Sequence, residues 1–194
     1  MILVSGFKPF LNEKINPSEM LVKKLVEEYS SPGLHTVILA VEFEKSFVQL
    51  KAEIEKYNPE YIVMFGQAAG RQKINLEKIG LNWNQTLSPD ESGFTPAVGS
   101  IYVGKELAYM SKFPIDELFH FLEKEKVEAT ISFSAGTYVC NNLYYKVLEA
   151  FPNKKSLFVH VPLLPEQGLP QQPKMDFDHM LLAATKIIEF LRLA

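Results

Sequence analysis

The only cysteine, Cys140, lies in Ser132-Phe-Ser-Ala-Gly-Thr-Tyr-Val-Cys-Asn141. Ala135-Gly136 can turn the chain and Thr137 can cap a helix, which puts Cys140 in the first helical turn. A thiolate there is favoured by the helix dipole, so a lowered pKa is expected, and free backbone N–H groups in the same turn can hold an oxyanion. The competing reading is a small buried hydrophobe. A thiol nucleophile needs a base. Of the four histidines, His35, His120 and His179 fall at a strand start or on helix faces. His160 sits near the end of the run Leu157-Phe-Val-His-Val161, where strand alternation puts Phe158 and His160 on one face and Leu157, Val159 and Val161 on the other. A third group should orient the imidazole. Glu77, a carboxylate among apolar neighbours in Ile74-Asn-Leu-Glu-Lys-Ile-Gly-Leu-Asn82, is the candidate, since such a group is costly unless paired. The bland alternatives are a satisfied histidine and a surface glutamate.

Three other motifs compete. Ser132-Phe-Ser134-Ala-Gly136 is similar to the serine nucleophile elbow but lacks its first glycine. Gly66-Gln-Ala-Ala-Gly70 follows a strand as a nucleotide loop would, without the required glycine spacing. Met175-Asp-Phe-Asp-His179 offers metal-type ligands at a spacing unlike zinc sites, so a solvated helix start is expected and no metal.

The elements that must position these residues alternate along the chain. Strands are expected at Ile2–Ser5, Thr36–Val41, Tyr61–Phe65, Ile74–Trp83, Ala129–Phe133 and Ser156–Val161. Helices are expected from Asn16-Pro17 to a stop at Ser31-Pro-Gly33, then over Ser46–Tyr57, Pro114–Lys126, Thr137–Phe151 and Asp176–Leu193, with a long loop over 84–100. Asn16 can cap the first helix and Pro17 suits its first position. This alternation predicts an α/β fold with a mainly parallel sheet and helices on both faces. Ligands on such a sheet bind beyond the strands' carboxyl ends, which points to the segments after Ser5, Phe65, Phe133 and Val161.

Composition narrows the function classes. The 194 residues are 47% hydrophobic and 22% charged, enough for one core over 1–194 and against disorder. Twenty basic residues against 23 acidic ones leave a net charge of −3, so neither nucleic acid nor an anionic membrane surface is an expected partner. A single cysteine makes no internal disulfide, no apolar run is long enough to span a bilayer, and Met1–Ser5 does not read as a secretory leader. A cytoplasmic protein is expected.

Four blocks resemble the pyroglutamyl peptidase type I (pyrrolidone-carboxylate peptidase) family of cysteine peptidases. They are Ser5-Gly-Phe-Lys-Pro-Phe10 with Asn16-Pro17, Gly66-Gln-Ala-Ala-Gly-Arg71 through Leu76-Glu77 to Asn82, Ser132 through Cys140-Asn-Asn-Leu143, and Phe158-Val-His-Val-Pro-Leu-Leu-Pro-Glu-Gln167. The resemblance implies a three-layer α/β/α sandwich with a twisted, mainly parallel sheet. It implies removal of N-terminal pyroglutamate from peptides by a Cys140–His160–Glu77 triad, without metal or cofactor, in a cytoplasmic dimer or tetramer. It also implies that Phe7 and Phe10 sandwich the lactam ring, that Tyr138 and Val139 line the pocket, and that Gln67 and Asn16 give polar contact or loop support.

The chain departs from the family pattern at Leu11-Asn12, Asn75 and Gly80. It departs also at Leu87, where many members carry an arginine near the nucleophile. Loss of that cation would weaken stabilisation of a thiolate and an oxyanion. Two alternatives follow: a Cys-His-Glu amidase of altered specificity, or a catalytically silent homologue that binds peptide N-termini.

Overall fold

The computed structural model describes residues 1–11, 13–28, 33–168 and 170–193. Its main sheet has six strands in the order β2-β1-β3-β8-β4-β7. These are β1 (Ile2–Phe7), β2 (Leu34–Leu39), β3 (Tyr61–Gln67), β4 (Ile74–Glu77), β7 (Ala129–Ser132) and β8 (Lys155–Val161). Two further strands, β5 (Ile79–Leu81) and β6 (Ala108–Met110), pair with each other outside that sheet. The helices are α1 (Pro17–Glu28), α2 (Phe43–Tyr57), α3 (Ile115–Lys124), α4 (Val139–Ala150) and α5 (Phe177–Leu193).

The central strands read as continuous apolar runs because both faces are covered. On one face Val4, Val63, Phe65, Leu157 and Val159 pack against α1, α3 and α5 through Leu21, Leu25, Leu118, Ala184 and Ile187. On the other, Leu3, Phe7, Ile62, Met64 and Phe158 pack against α2 and α4 through Leu50, Ile54, Val139, Leu143 and Tyr144. The result is the expected three-layer α/β/α sandwich.

β1, β2, β3 and β8 are mutually parallel. β4 runs antiparallel to β8, and β7 follows β4. Chain length explains the reversal. Only residues 68–73 join β3 to β4, and a parallel crossover needs roughly a dozen residues or more. The chain therefore hops over the end of β8 and returns down its far side. β7 consequently points away from the edge where β1, β3 and β8 end. The expectation that the segment after Phe133 starts at a shared carboxyl edge is corrected here: residues 133–138 must carry the chain back before α4 begins, with Gly136 at φ +79° in the turn.

Other boundaries shift for local reasons. The expected strand 74–83 divides at Lys78, and its second part pairs with β6, which carries no long apolar run to announce it. The expected stop of α1 at Ser31-Pro-Gly33 falls largely outside the described residues. Asn16 caps α1 as expected, its Oδ1 accepting from the Ser18 N–H at 2.9 Å. Thr137 does not cap α4; its hydroxyl donates to the Gln85 carbonyl at 2.7 Å instead.

The loop after β5 is tied down. α2 has no side-chain cap of its own at Glu42. Asp90, 47 residues away in sequence, supplies one: its Oδ2 accepts from Phe43 N–H at 3.0 Å. Oδ1 accepts from Ser92 N–H at 2.9 Å, Ser92 Oγ at 2.6 Å and Phe94 N–H at 3.0 Å. Burial pushes the carboxyl pKa up, but these four donors outweigh it and hold the group below the usual carboxylate value. Because the folded pKa is depressed, the contribution is present above the unfolded carboxylate value and is lost as pH falls through the folded one. Asp90→Ala is expected to lower unfolding free energy by about 1–2 kcal/mol at pH 7, with a smaller difference from wild type below the folded pKa, measured by urea denaturation at both pH values.

Candidate active site

The parallel β3–β8 register sets Gly66 beside His160, and the antiparallel β4–β8 register sets Asn75 opposite His160 and Glu77 opposite Phe158. Alternation on β8 turns His160 and Phe158 to the α4 face, as the sequence predicts. Alternation on β4 turns Asn75 and Glu77 the same way, since Ile74 and Leu76 join the opposite core. Glu77 is therefore a diagonal cross-strand neighbour of His160, within reach of a long side chain. Its Oε1 lies 2.8 Å from His160 Nδ1. With Nδ1–H donating to the carboxylate, Nε2 is the ring's acceptor and can take a proton. Tyr144 of α4 pins the strand end by donating its hydroxyl to the Glu77 carbonyl at 2.8 Å.

Cys140 is the second residue of α4 and reaches the same spot from above the sheet. A Cβ on Gly66 would stand 3.1 Å from Cys140 Sγ and 2.8 Å from the Phe158 ring. The bare glycine thus lets the sulfur settle beside the strand position that registers with His160. Burial pushes the Cys140 thiol up to about 12, and the negative charge of Glu77 adds to this, while its own backbone N–H pulls slightly the other way. The helix N-terminus does not produce the lowered pKa expected from sequence, because desolvation of the sulfur outweighs the dipole. Burial therefore disfavours the thiolate at this position.

These groups open into a cavity of about 260 Å³ lined also by Phe7, Phe10, Gln67, Arg71 and Tyr138. Phe7 ends β1, and Phe10 stacks on Tyr138 with ring centroids 6.5 Å apart. Gln67 is oriented from behind: its Oε1 accepts from Gln167 Nε2 at 3.0 Å. Gln167 is itself fixed, its Oε1 accepting from Leu164 N–H at 3.1 Å and its Nε2 donating to the Ile15 carbonyl at 3.1 Å. The NH2 end of Gln67 is thereby the end left for the cavity.

One expected lining residue stands elsewhere, and of the two roles expected for Asn16 its contacts are those of loop support. Val139 is buried in the core between α4 and the sheet. Asn16 is buried, its Oδ1 on Ser18 and its Nδ2 donating to the Lys8 carbonyl at 3.0 Å, so it braces the segment that carries Phe7 and Phe10. The loop over 84–100 binds the walls together. Tyr138 Oη donates to the Pro89 carbonyl at 2.8 Å, Leu11 N–H to Glu91 Oε1 at 3.0 Å, and Glu91 N–H to the Val41 carbonyl at 3.1 Å. Asn141, next to the cysteine, clamps the start of that loop by donating to the Leu81 and Trp83 carbonyls at 2.9 and 3.1 Å.

The whole chain matches a family whose description is pyroglutamyl peptidase, over residues 1–192. The chain belongs to the pyroglutamyl peptidase family. It is 37% identical over 196 residues to a pyrrolidone-carboxylate peptidase of Fusobacterium nucleatum, covering 98% of this chain and 92% of the relative. It is 37% identical to that of Lactobacillus helveticus, covering 97% and 96%. Among solved structures, the pyrrolidone carboxyl peptidase of Fervidobacterium islandicum matches with a TM-score of 0.90 at 33% identity, covering 98% and 97% of the two chains. Pyroglutamyl peptidase I of Bacillus amyloliquefaciens matches at 0.87 and 34%, covering 96% and 93%.

Leu87 is fully exposed and lies outside the cavity lining. A cation is nonetheless present: Arg71 lines the cavity and stands 3.6 Å from Glu77 Oε1. In the sequence Arg71 stands out only as the last residue of a motif, and its position after a tight Gly70 turn is the signal that could have found it. Ser134, the serine-elbow candidate, is exposed and its hydroxyl accepts from Gly136 N–H at 3.3 Å. Asp176 and His179 line a different cavity, of about 360 Å³. Among the described residues, no cluster of three His, Cys, Asp or Glu side chains could hold a metal ion.

Gly66→Ala is expected to force Phe158 and Cys140 apart, costing about 1–3 kcal/mol of stability from overpacking. It should also lower kcat/KM at least tenfold, because a displacement near 1 Å of the Cys140 sulfur relative to His160 would be costly if the thiol reacts. Denaturant unfolding and steady-state kinetics on one preparation check both.

Proposed function

We propose that the chain is a cysteine exopeptidase that releases N-terminal pyroglutamate from peptides through a thioester. The observation that carries this reading is the arrangement around Gly66: Cys140 Sγ beside the strand position that registers with His160, and the Glu77 carboxylate 2.8 Å from the far nitrogen of that imidazole. Family membership supports it. His160 Nε2 takes the Cys140 proton as the sulfur attacks the pyroglutamyl carbonyl. The oxyanion that develops is held by the Cys140 backbone N–H at the start of α4. Collapse expels the peptide amine with a proton from His160, leaving a thioester. Water, deprotonated by His160, hydrolyses it and restores the thiol. Glu77 holds the tautomer and stabilises the imidazolium. Cys140, His160 and Glu77 are the catalytic residues of this reading, and no metal or cofactor has a step in it.

Pyroglutamate is small, flat and uncharged. Phe7 and Phe10 supply apolar walls, Tyr138 closes one side, and the Gln67 NH2 group is a donor for the lactam carbonyl. Asn16 acts as loop support, and Val139 as core packing beneath the helix start. The three parts of the sandwich act as one domain over 1–194. The reaction needs a reduced thiol, which suits a reducing compartment such as the cytoplasm. No helix among the described residues is long and apolar enough to cross a membrane.

A homo-oligomer, dimer or tetramer, also follows as a proposal. Val103 and Leu107 are 94% and 82% exposed, and Trp83, Val98 and Met110 of the same region are exposed too. Apolar side chains gathered in one segment favour association. Val103→Glu with Leu107→Glu is expected to reduce the sedimentation-derived mass of the wild-type oligomer; a mass equal to wild type would place the interface elsewhere.

The function is tested with a fluorogenic pyroglutamyl amide under reducing conditions. Cys140→Ala is expected to lower turnover by about 10⁴-fold or more. Turnover that survives in Cys140→Ala would sink the thiol mechanism, and a folded wild type without turnover would sink the substrate assignment.

A further inference from the structure

Glu77 is completely buried, and its Oε2 has no hydrogen-bond partner among the described residues. An ionised carboxylate so placed is costly unless an opposite charge stands close. A neutral imidazole cannot supply that charge. Arg71 can: its Nη2 lies 3.6 Å from Oε1, within ion-pair reach. Two further contacts hold the guanidinium. Nη2 donates to the Ser134 carbonyl at 2.9 Å. With the Asn75 amide oriented so that both its ends are satisfied, Asn75 Nδ2 donates to the Lys73 carbonyl at 2.7 Å and its Oδ1 accepts from Arg71 Nη1 at 3.2 Å. Asn75 faces the site because it pairs with His160 across β4 and β8.

We propose that Arg71 is a positioning residue for the peptidase reaction: braced by Asn75 and the Ser134 carbonyl, its guanidinium keeps Glu77 ionised and turned toward His160. The inference rests on the peptidase reading above. Other titratable groups that act on Glu77 are Cys140 and Tyr144, both on α4, neither of them a source of positive charge and both with pKa values pushed up by burial. Arg71 therefore provides the positive charge at this buried pair. Without it, the negative charge of Glu77 raises the proton affinity of His160, and the base is protonated at a higher pH. Any proton taken up by Glu77 itself removes the acceptor that fixes the imidazole tautomer.

The test compares wild type with Arg71→Gln, Arg71→Lys and Asn75→Ala, using kcat and KM on a pyroglutamyl amide from pH 5 to 9 with unfolding midpoints alongside. Arg71→Gln is expected to lower kcat by about 10–100-fold with KM within about twofold, the usual scale for a group that orients a reacting residue. The acid limb of kcat/KM should move up by about half a pH unit or more. Arg71→Lys should restore most of kcat and the wild-type limb, and Asn75→Ala should shift the limb in the same direction by less. A rise in KM with kcat unchanged would instead make Arg71 a substrate contact. An unmoved pH profile in Arg71→Gln would make it purely structural; should that variant not fold, an unmoved profile in Asn75→Ala would mean the same. Either result overturns the proposal while leaving the peptidase reading intact, whereas a wild type without turnover overturns both.

Discussion

A carboxylate with no access to water, bonded to an imidazole inside a sheet, is the constraint around which this molecule is arranged. Burying an unpaired charge costs several kcal/mol, so Glu77 is tolerable only where β4 sits antiparallel to β8 and puts it diagonal to His160. That register depends on the short 68–73 connection, which forces the reversal and also brings Arg71 to the carboxylate. The same low-polarity surroundings that make the Glu77–His160 bond strong push the Cys140 thiol up to about 12. One environment therefore both orients the imidazole and disfavours the thiolate.

The pocket walls come from segments distant in sequence and are joined by the loop after β5. Asp90 caps α2, Glu91 holds the Leu11 backbone, and the Pro89 carbonyl receives the Tyr138 hydroxyl. The first two bonds lie beside the pocket lining, and the third is made by a lining residue, Tyr138, itself. A loop built this way fixes the separation between the Phe7–Phe10 side and the α4 side without adding reactive groups. Asn141 and Asn142 extend the link directly from the helix that carries Cys140, the latter donating to Asn84 Oδ1 at 3.0 Å. The residues flanking Cys140 thus serve the loop as much as the helix.

Gly66 shows how backbone and chemistry are coupled. It lies in a strand that is otherwise bulky and apolar, and its absent side chain is where the sulfur and the Phe158 ring meet. A strand interior normally gains from a side chain that packs. Here the glycine gives up that packing so that the start of α4 can approach the sheet, and the register then sets the imidazole alongside.

The sequence alone determined the alternating elements, the covered sheet, the face of β8 that carries His160, and the three polar residues worth pairing. These are local matters: periodicity, capping and the cost of a lone carboxylate among apolar neighbours are legible within ten or twenty residues. Only the tertiary structure decided the direction of β4 and β7, the direction in which the Cys140 pKa moves, the removal of Val139 from the pocket lining, the loop-support contacts of Asn16, and the arrival of Arg71 rather than residue 87 as the cation. Each of these depends on which strand lies beside which, and on how much water the packing excludes. Neither quantity is written in any one segment, because both are properties of surfaces that meet only after the chain has folded.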